Sequence, residues 1–160
     1  MLKGGKVSIE ISGDLPFNKE KLGLLQLFAA YCTRALMLKK EYYGCIVDNR
    51  KDYGIETTAK MFLNTGEFYV YGKGRAFVDI LRSIAHELVH MRQEEMGTLD
   101  MSAIHFSSDD EDEANAIAGE LVNAFSAVLG YDIIYEGRRE NRRKAMGTRR
   151  DLGRDTALRR

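Results

Sequence analysis

The chain has 160 residues, with 24 Lys and Arg against 24 Asp and Glu, so its formal net charge is zero. Its 44% hydrophobic and 30% charged residues are ordinary proportions for one globular domain of this length. These proportions exclude a wholly disordered chain, a collagen-like repeat and a bundle of membrane-spanning helices. The first residues lack the apolar core of a signal peptide, and two cysteines are too few for a disulfide framework. We therefore expect a cytoplasmic protein with reduced cysteines and no membrane partner.

The zero charge is the sum of two unequal segments. Residues 137–160 contain nine Arg and one Lys against three acids, a net charge of +7, which leaves −7 on residues 1–136. We expect a folded domain over 1–136 and a basic C-terminal tail over 137–160. Clustered Arg neutralises phosphates, so the tail is a candidate for contact with nucleic acid or an acidic protein surface. A solvated tail without a partner is the alternative.

The first half of the chain predicts a small sheet and one helix. Residues 7–11 alternate with period two, as in a strand, and residues 19–40 have the composition and apolar spacing of a helix. Residues 45–47 form a second short strand. Residues 55–63 and 68–71 then flank a Gly-containing loop, which is typical of a hairpin.

The second half predicts two longer helices. Residues 76–96 carry an apolar helical stripe ended by Gly97, and a connection leads to a helix over 109–129 with acids at its start. Residues 131–135 are expected to add a short strand or turn. The pattern predicts an α+β fold with a small mixed or antiparallel sheet beside the early helix, followed by the two helices.

Two of the three histidines stand in the sequence His86-Glu87-Leu88-Val89-His90. Positions four apart on a helix project from one face, so both imidazoles can bind one metal ion. Glu87 is offset from this pair, where it can hold a water at the metal and accept its proton. This spacing, inside a helix predicted independently, indicates a hydrolytic zinc site.

A catalytic zinc ion generally has three protein ligands. Met96 occupies the place of a third histidine six residues after the second, and His105 and Asp100 lie in a connection without a supporting pattern. In the downstream acidic run, Glu111 and Asn115 are four apart, so a carboxylate and an amide can share one helix face. Glu113 is the main competitor to Glu111, but its offset places it on a different face from Asn115.

The His-Glu-x-x-His motif followed by Glu-x-x-Ala-Asn at 111–115 resembles the gluzincin metallopeptidases, in particular the ImmA/IrrE group of small intracellular zinc peptidases. The resemblance covers about residues 86–121. It implies a compact zincin-like domain with an active-site helix followed by a glutamate-bearing helix. It also implies zinc ligation by His86, His90 and Glu111, general-base catalysis by Glu87, and an Asn115 side chain that fixes a ligand imidazole through its other nitrogen.

The implied activity is that of a zinc metalloendopeptidase acting on an intracellular protein or peptide substrate. By the same resemblance, residues 68–71 would be the edge strand that binds an extended peptide; an ordinary core hairpin is the alternative. For stabilising the oxyanion, His105, Tyr131, Tyr135 and Arg138 are candidates by residue type alone. A protein of another class, which uses the same fold for binding or assembly with its tail on nucleic acid or a protein, is the alternative function.

Overall fold

The computed structural model describes residues 4–99 and 106–135, and the basic tail over 137–160 lies outside these residues. A short 3-10 turn spans Lys51–Tyr53. The strands and helices follow one another along the chain as β1 (Lys6–Ser12), α1 (Lys19–Ala35), β2 (Glu41–Val47), β3 (Ala59–Phe62), β4 (Glu67–Tyr71), α2 (Phe77–Glu95), α3 (Ser108–Leu129) and α4 (Tyr131–Ile134).

The four strands form one mixed sheet in the order β1-β2-β4-β3. β1 pairs with β2 in parallel, β2 pairs with β4 in parallel, and only the β3–β4 hairpin is antiparallel. The expected α+β fold with a small mixed sheet is therefore confirmed. The expectation that residues 68–71 form the edge strand is wrong, because β4 is paired on both sides. The edge strand of the hairpin is β3.

The first helix ends earlier than residue 40, where the sequence pattern placed its end. α1 begins after Asn18, whose side chain accepts a hydrogen bond from the Lys21 amide at 2.9 Å, and it ends at Ala35. Met37 then adopts a left-handed conformation with φ of 51°. The amide of Met37 donates to the Arg34 carbonyl, and the amide of Leu38 donates to that of Thr33. This pattern is a Schellman motif, which Met completes in place of the usual Gly.

The sheet buries one face against the helices. Phe68 and Val70 of β4 are fully buried, whereas Tyr69 and Tyr71, which alternate with them, are partly exposed on the other face. α1 and α3 meet where the rings of Phe28 and Phe125 pack edge to face, 5.0 Å apart. No helix among the described residues is both long and apolar enough to cross a membrane.

The packing of α2 against α3 positions the candidate site residues. The bounds of both helices agree with the sequence prediction to within one residue. Ala114 and Ala118 of α3 are fully buried, and their small side chains allow the two helices to approach closely. After α3, the segment predicted as a strand or turn instead forms the short helix α4, which buries Ile134.

Candidate metal centre

The two motif histidines lie one turn apart on α2, on the face that meets the start of α3. Their Nε2 atoms are 3.1 Å apart, and their rings are nearly perpendicular. His90 is only 1% exposed, while His86 is partly exposed. Desolvation lowers the pKa of His86, with a further contribution from His90, and the nearby Glu111 carboxylate opposes this shift. A lowered pKa favours the neutral imidazole, which is the form that binds a metal.

The Glu111 carboxylate lies against both imidazoles. One oxygen is 3.1 Å from His86 Nε2, and the other is 3.2 Å from His90 Nε2. Tetrahedral ligands at about 2.0–2.1 Å from a zinc ion lie roughly 3.3 Å from one another. The separation of the two imidazole nitrogens is close to this value, and each nitrogen has a different oxygen of the Glu111 carboxylate at a similar distance. One donor atom from each of His86, His90 and Glu111 lies within 4.8 Å of the other two, so the three residues could hold one metal ion.

The rest of the acidic run takes other roles. Ser107 caps α3 by accepting the Asp110 amide at 3.2 Å, while its hydroxyl donates to the Asp110 carboxylate at 2.9 Å. Glu113 accepts a hydrogen bond from Gln93 Nε2 at 3.1 Å. The structure thus brings Glu111, and not Glu113, to the imidazoles. The competing sequence candidates Asp100 and His105 lie outside the described residues.

The Glu87 carboxylate is 5% exposed and lines the same cleft as the imidazoles. Burial raises its pKa to about 8, and the charge of Glu111 contributes in the same direction. A bound dication would oppose both effects, because it stabilises the carboxylate form. The site thus contains a poorly solvated carboxylate whose proton affinity depends on the charge beside it.

Each imidazole also contacts a side-chain amide. The Asn115 side chain lies beside His86, where it favours the protonated form of that imidazole and so acts against the lowering of the His86 pKa by burial. His90 Nδ1 lies 2.8 Å from Gln93 Oε1. The other ring contact of His90 is with Phe106, whose ring stacks on the imidazole with a centroid separation of 3.8 Å. These contacts fix the orientation of both rings.

An open cleft of about 830 Å³ runs along α2 past the two histidines. Its other wall includes β3, with Ala59, Lys60 and Met61. Arg75 lies near the start of α2 and donates to the carbonyls of Tyr71 and Asp79 and to the hydroxyl of Ser83. The arrangement leaves room for an extended chain between α2 and the edge strand.

Tyr131 and Tyr135, the two oxyanion candidates within the described residues, gain no support from their positions. The ring centroids of Tyr131, at the start of α4, and Tyr135, just after its end, are 6.0 Å apart, and the Tyr131 hydroxyl donates to Asn123, two turns beyond Asn115 on α3. His105 and Arg138 lie outside the described residues.

Gln93, Phe106 and the role of β3 are not among the features predicted from the sequence. Gln93 follows His90 by three positions and His86 by seven, so helical spacing alone places it on the ligand face. That spacing is the signal that was available in the sequence. Comparison with protein family models, with curated proteins and with solved structures finds no match to this chain. The likeness to gluzincins therefore depends on the motif residues alone.

Proposed function

We propose that this protein is a zinc-dependent metallopeptidase with a gluzincin-type centre on a zincin-like fold. The observation that carries the proposal is the convergence of His86, His90 and Glu111: the two Nε2 atoms are 3.1 Å apart, and each has one Glu111 oxygen at 3.1 or 3.2 Å. Two imidazoles and a carboxylate are a ligand set that suits zinc and leaves a fourth position open, as in catalytic sites.

Zinc bound there would supply a Lewis acid that lowers the pKa of water and polarises a peptide carbonyl. Glu87 would accept the proton of the attacking water and pass it to the leaving amine. Its position supports this role, because the carboxylate is nearly fully buried yet lines the cleft. A poorly solvated carboxylate is a stronger proton acceptor than an exposed one.

The substrate would bind as an extended strand beside β3. Thr58 accepts a hydrogen bond from the Tyr71 amide, and the register continues with Lys60 opposite Tyr69. Hydrogen-bonded pairs alternate along an antiparallel ladder, so the backbone groups of Ala59 and Met61 point away from β4. Both residues line the cleft. Amides and carbonyls that point away from β4 suit the addition of a peptide strand, in which main-chain hydrogen bonds give affinity and side-chain pockets give specificity.

The test compares wild type with Glu87→Gln. Both proteins are loaded with zinc, their metal content is measured, and each is incubated with a peptide library that is then analysed by mass spectrometry. The proposal predicts stoichiometric zinc in both proteins and cleavage only by wild type. Absence of bound zinc would refute it. Zinc in both with cleavage by neither would instead favour a binding or assembly protein.

A further inference from the structure

Gln93 is a buried polar residue that contacts both helices of the metal centre. Its side chain is 2% exposed and lies on α2 one turn after His90. Its Oε1 is 2.8 Å from His90 Nδ1, and its Nε2 donates to the Asp110 carbonyl and to a Glu113 carboxylate oxygen, each at 3.1 Å. A single amide therefore joins one ligand imidazole to the first turn of the helix that carries the third ligand.

The partners of Gln93 determine the orientation of its amide. A backbone carbonyl and an ionised carboxylate only accept hydrogen bonds, so the group facing them must be the NH2. Oε1 therefore faces His90, and a carbonyl oxygen can only accept. It follows that His90 Nδ1 carries a proton, which leaves Nε2, on the side of His86 and Glu111, as the nitrogen that would bind a metal ion.

The second link of Gln93 acts on Glu111. The Asp110 carbonyl that accepts from Gln93 belongs to the residue immediately before Glu111. Glu113, the other acceptor, follows Glu111 by two positions. Both contacts hold the first two turns of α3 against α2, where the Glu111 carboxylate meets the two imidazoles. Loss of the Gln93 donors would remove this link between the two helices and leave the partly buried Asp110 carbonyl with one fewer partner.

We propose that Gln93 is a positioning residue of the metal centre. It sets the tautomer of His90 and aligns Glu111 with the histidine pair, without contacting substrate or metal itself. This inference rests on the proposed zinc site and adds to it a residue that lies outside the His-Glu-x-x-His motif. Outer hydrogen-bond partners of this kind typically change metal affinity by about 10–100-fold when they are removed.

The test measures zinc affinity by competition with a chelator. Gln93→Leu removes the acceptor and both donors, and we expect its zinc affinity to fall by about 10–100-fold. Gln93→Glu keeps an acceptor for His90 but turns a carboxylate toward Glu113, so its affinity should also fall. Adding Glu113→Gln to Gln93→Glu restores an amide–carboxylate pair with the roles exchanged, and we expect it to recover part of the loss.

Gln26→Leu is the matched control. The Gln26 amide exchanges two hydrogen bonds with the Ile9 backbone at the far edge of the sheet, so its removal should leave zinc affinity unchanged. A tautomer measurement by 15N NMR of the chelated protein provides a second readout. His90 should be protonated at Nδ1 in wild type, and this preference should weaken in Gln93→Leu.

The outcomes separate the two proposals. If wild type binds no zinc, the proposed function fails. If wild type binds zinc and folded Gln93 variants bind it equally well, the positioning role fails and the zinc site stands. If Gln93→Leu does not fold, the zinc affinities of Gln93→Glu and of the double variant Gln93→Glu with Glu113→Gln still test the positioning role. Equal affinities for that single and double variant would overturn the alignment of Glu111 by Gln93.

Discussion

The buried carboxylate of Glu87 makes the stability of the chelated protein depend on pH. Its pKa is raised from 4.5 to about 8, first by burial and then by Glu111. Between these values the folded protein retains a proton that the unfolded chain has released, so stability falls as pH rises through this range and levels off above about pH 8. Each unit corresponds to about 1.4 kcal/mol, so the full gap amounts to about 5 kcal/mol. Glu87→Gln has no ionisable group at this position, so its stability should not show this pH dependence.

The assay is chemical denaturation of wild type and Glu87→Gln in the presence of a chelator. From about pH 5 to about pH 8.5, the free energy of unfolding of wild type should fall relative to the variant by about 4 kcal/mol. Because a dication favours the carboxylate, zinc should stabilise wild type increasingly as pH rises. Parallel pH curves for the two chelated proteins would refute the reasoning, since they would mean that Glu87 is well solvated.

Four further predictions follow from the same structure. Glu111→Gln should weaken zinc binding by more than about 100-fold in chelator competition, while Glu113→Gln should lose less than about tenfold; the reverse order would make Glu113 the ligand. Ala59→Pro removes an amide that points away from β4, so the hydrogen bonds between β3 and β4 should remain. The loss of one hydrogen bond to the substrate should lower kcat/KM on peptides by about fivefold, while zinc affinity stays unchanged. Met37→Gly should raise the free energy of unfolding by about 0.5–1 kcal/mol, because glycine adopts the left-handed backbone of this position freely and the exposed Met37 side chain contributes little packing. A loss of stability would contradict the assignment of a Schellman motif at the end of α1. If the basic tail contacts nucleic acid, the full chain should bind it with a strong salt dependence and a chain ending at residue 136 should not, whereas equal binding by both would exclude the tail.

Local patterns in the sequence were sufficient for the elements that carry the site. The apolar stripe and Gly97 predicted α2, and the backbone confirms the end, since Gly97 has φ of 70° and closes a Schellman motif with Thr98. The i, i+4 spacing of His86 and His90, and that of Glu111 and Asn115, depends only on helix geometry. The choice of Glu111 over Glu113 followed from that geometry, and the structure places the two carboxylates accordingly.

Other features depend on contacts between distant segments, which a local pattern does not contain. Nothing in the hairpin sequence states which of its strands pairs with β2, so the edge strand was predicted wrongly. β2 begins at Glu41, earlier than the sequence pattern predicts, and it includes Gly44, a residue type that is depleted in strands. A Cβ there would come within 2.3 Å of the Phe68 ring, which explains why a residue of low strand propensity occupies the position.

At the proposed metal centre, the role of Gln93 likewise depends on contacts that a local sequence pattern does not contain. Its position on the ligand face is visible in the sequence, but its importance comes from the Asp110 carbonyl and the Glu113 carboxylate on another helix. The early end of α1 is a related case. Met37 is an unusual residue at a left-handed position, and its conformation follows from the turn into β2 and the burial of Leu38.

The most direct test of the zinc centre is X-ray absorption at the zinc edge of the protein loaded with one equivalent of zinc. The account predicts a shell of nitrogen and oxygen ligands at about 2.0–2.2 Å, with the scattering pattern of two imidazoles. A sulfur ligand at about 2.3 Å, which would come from Cys32 or Cys45, or a shell with fewer than two imidazoles, would contradict it.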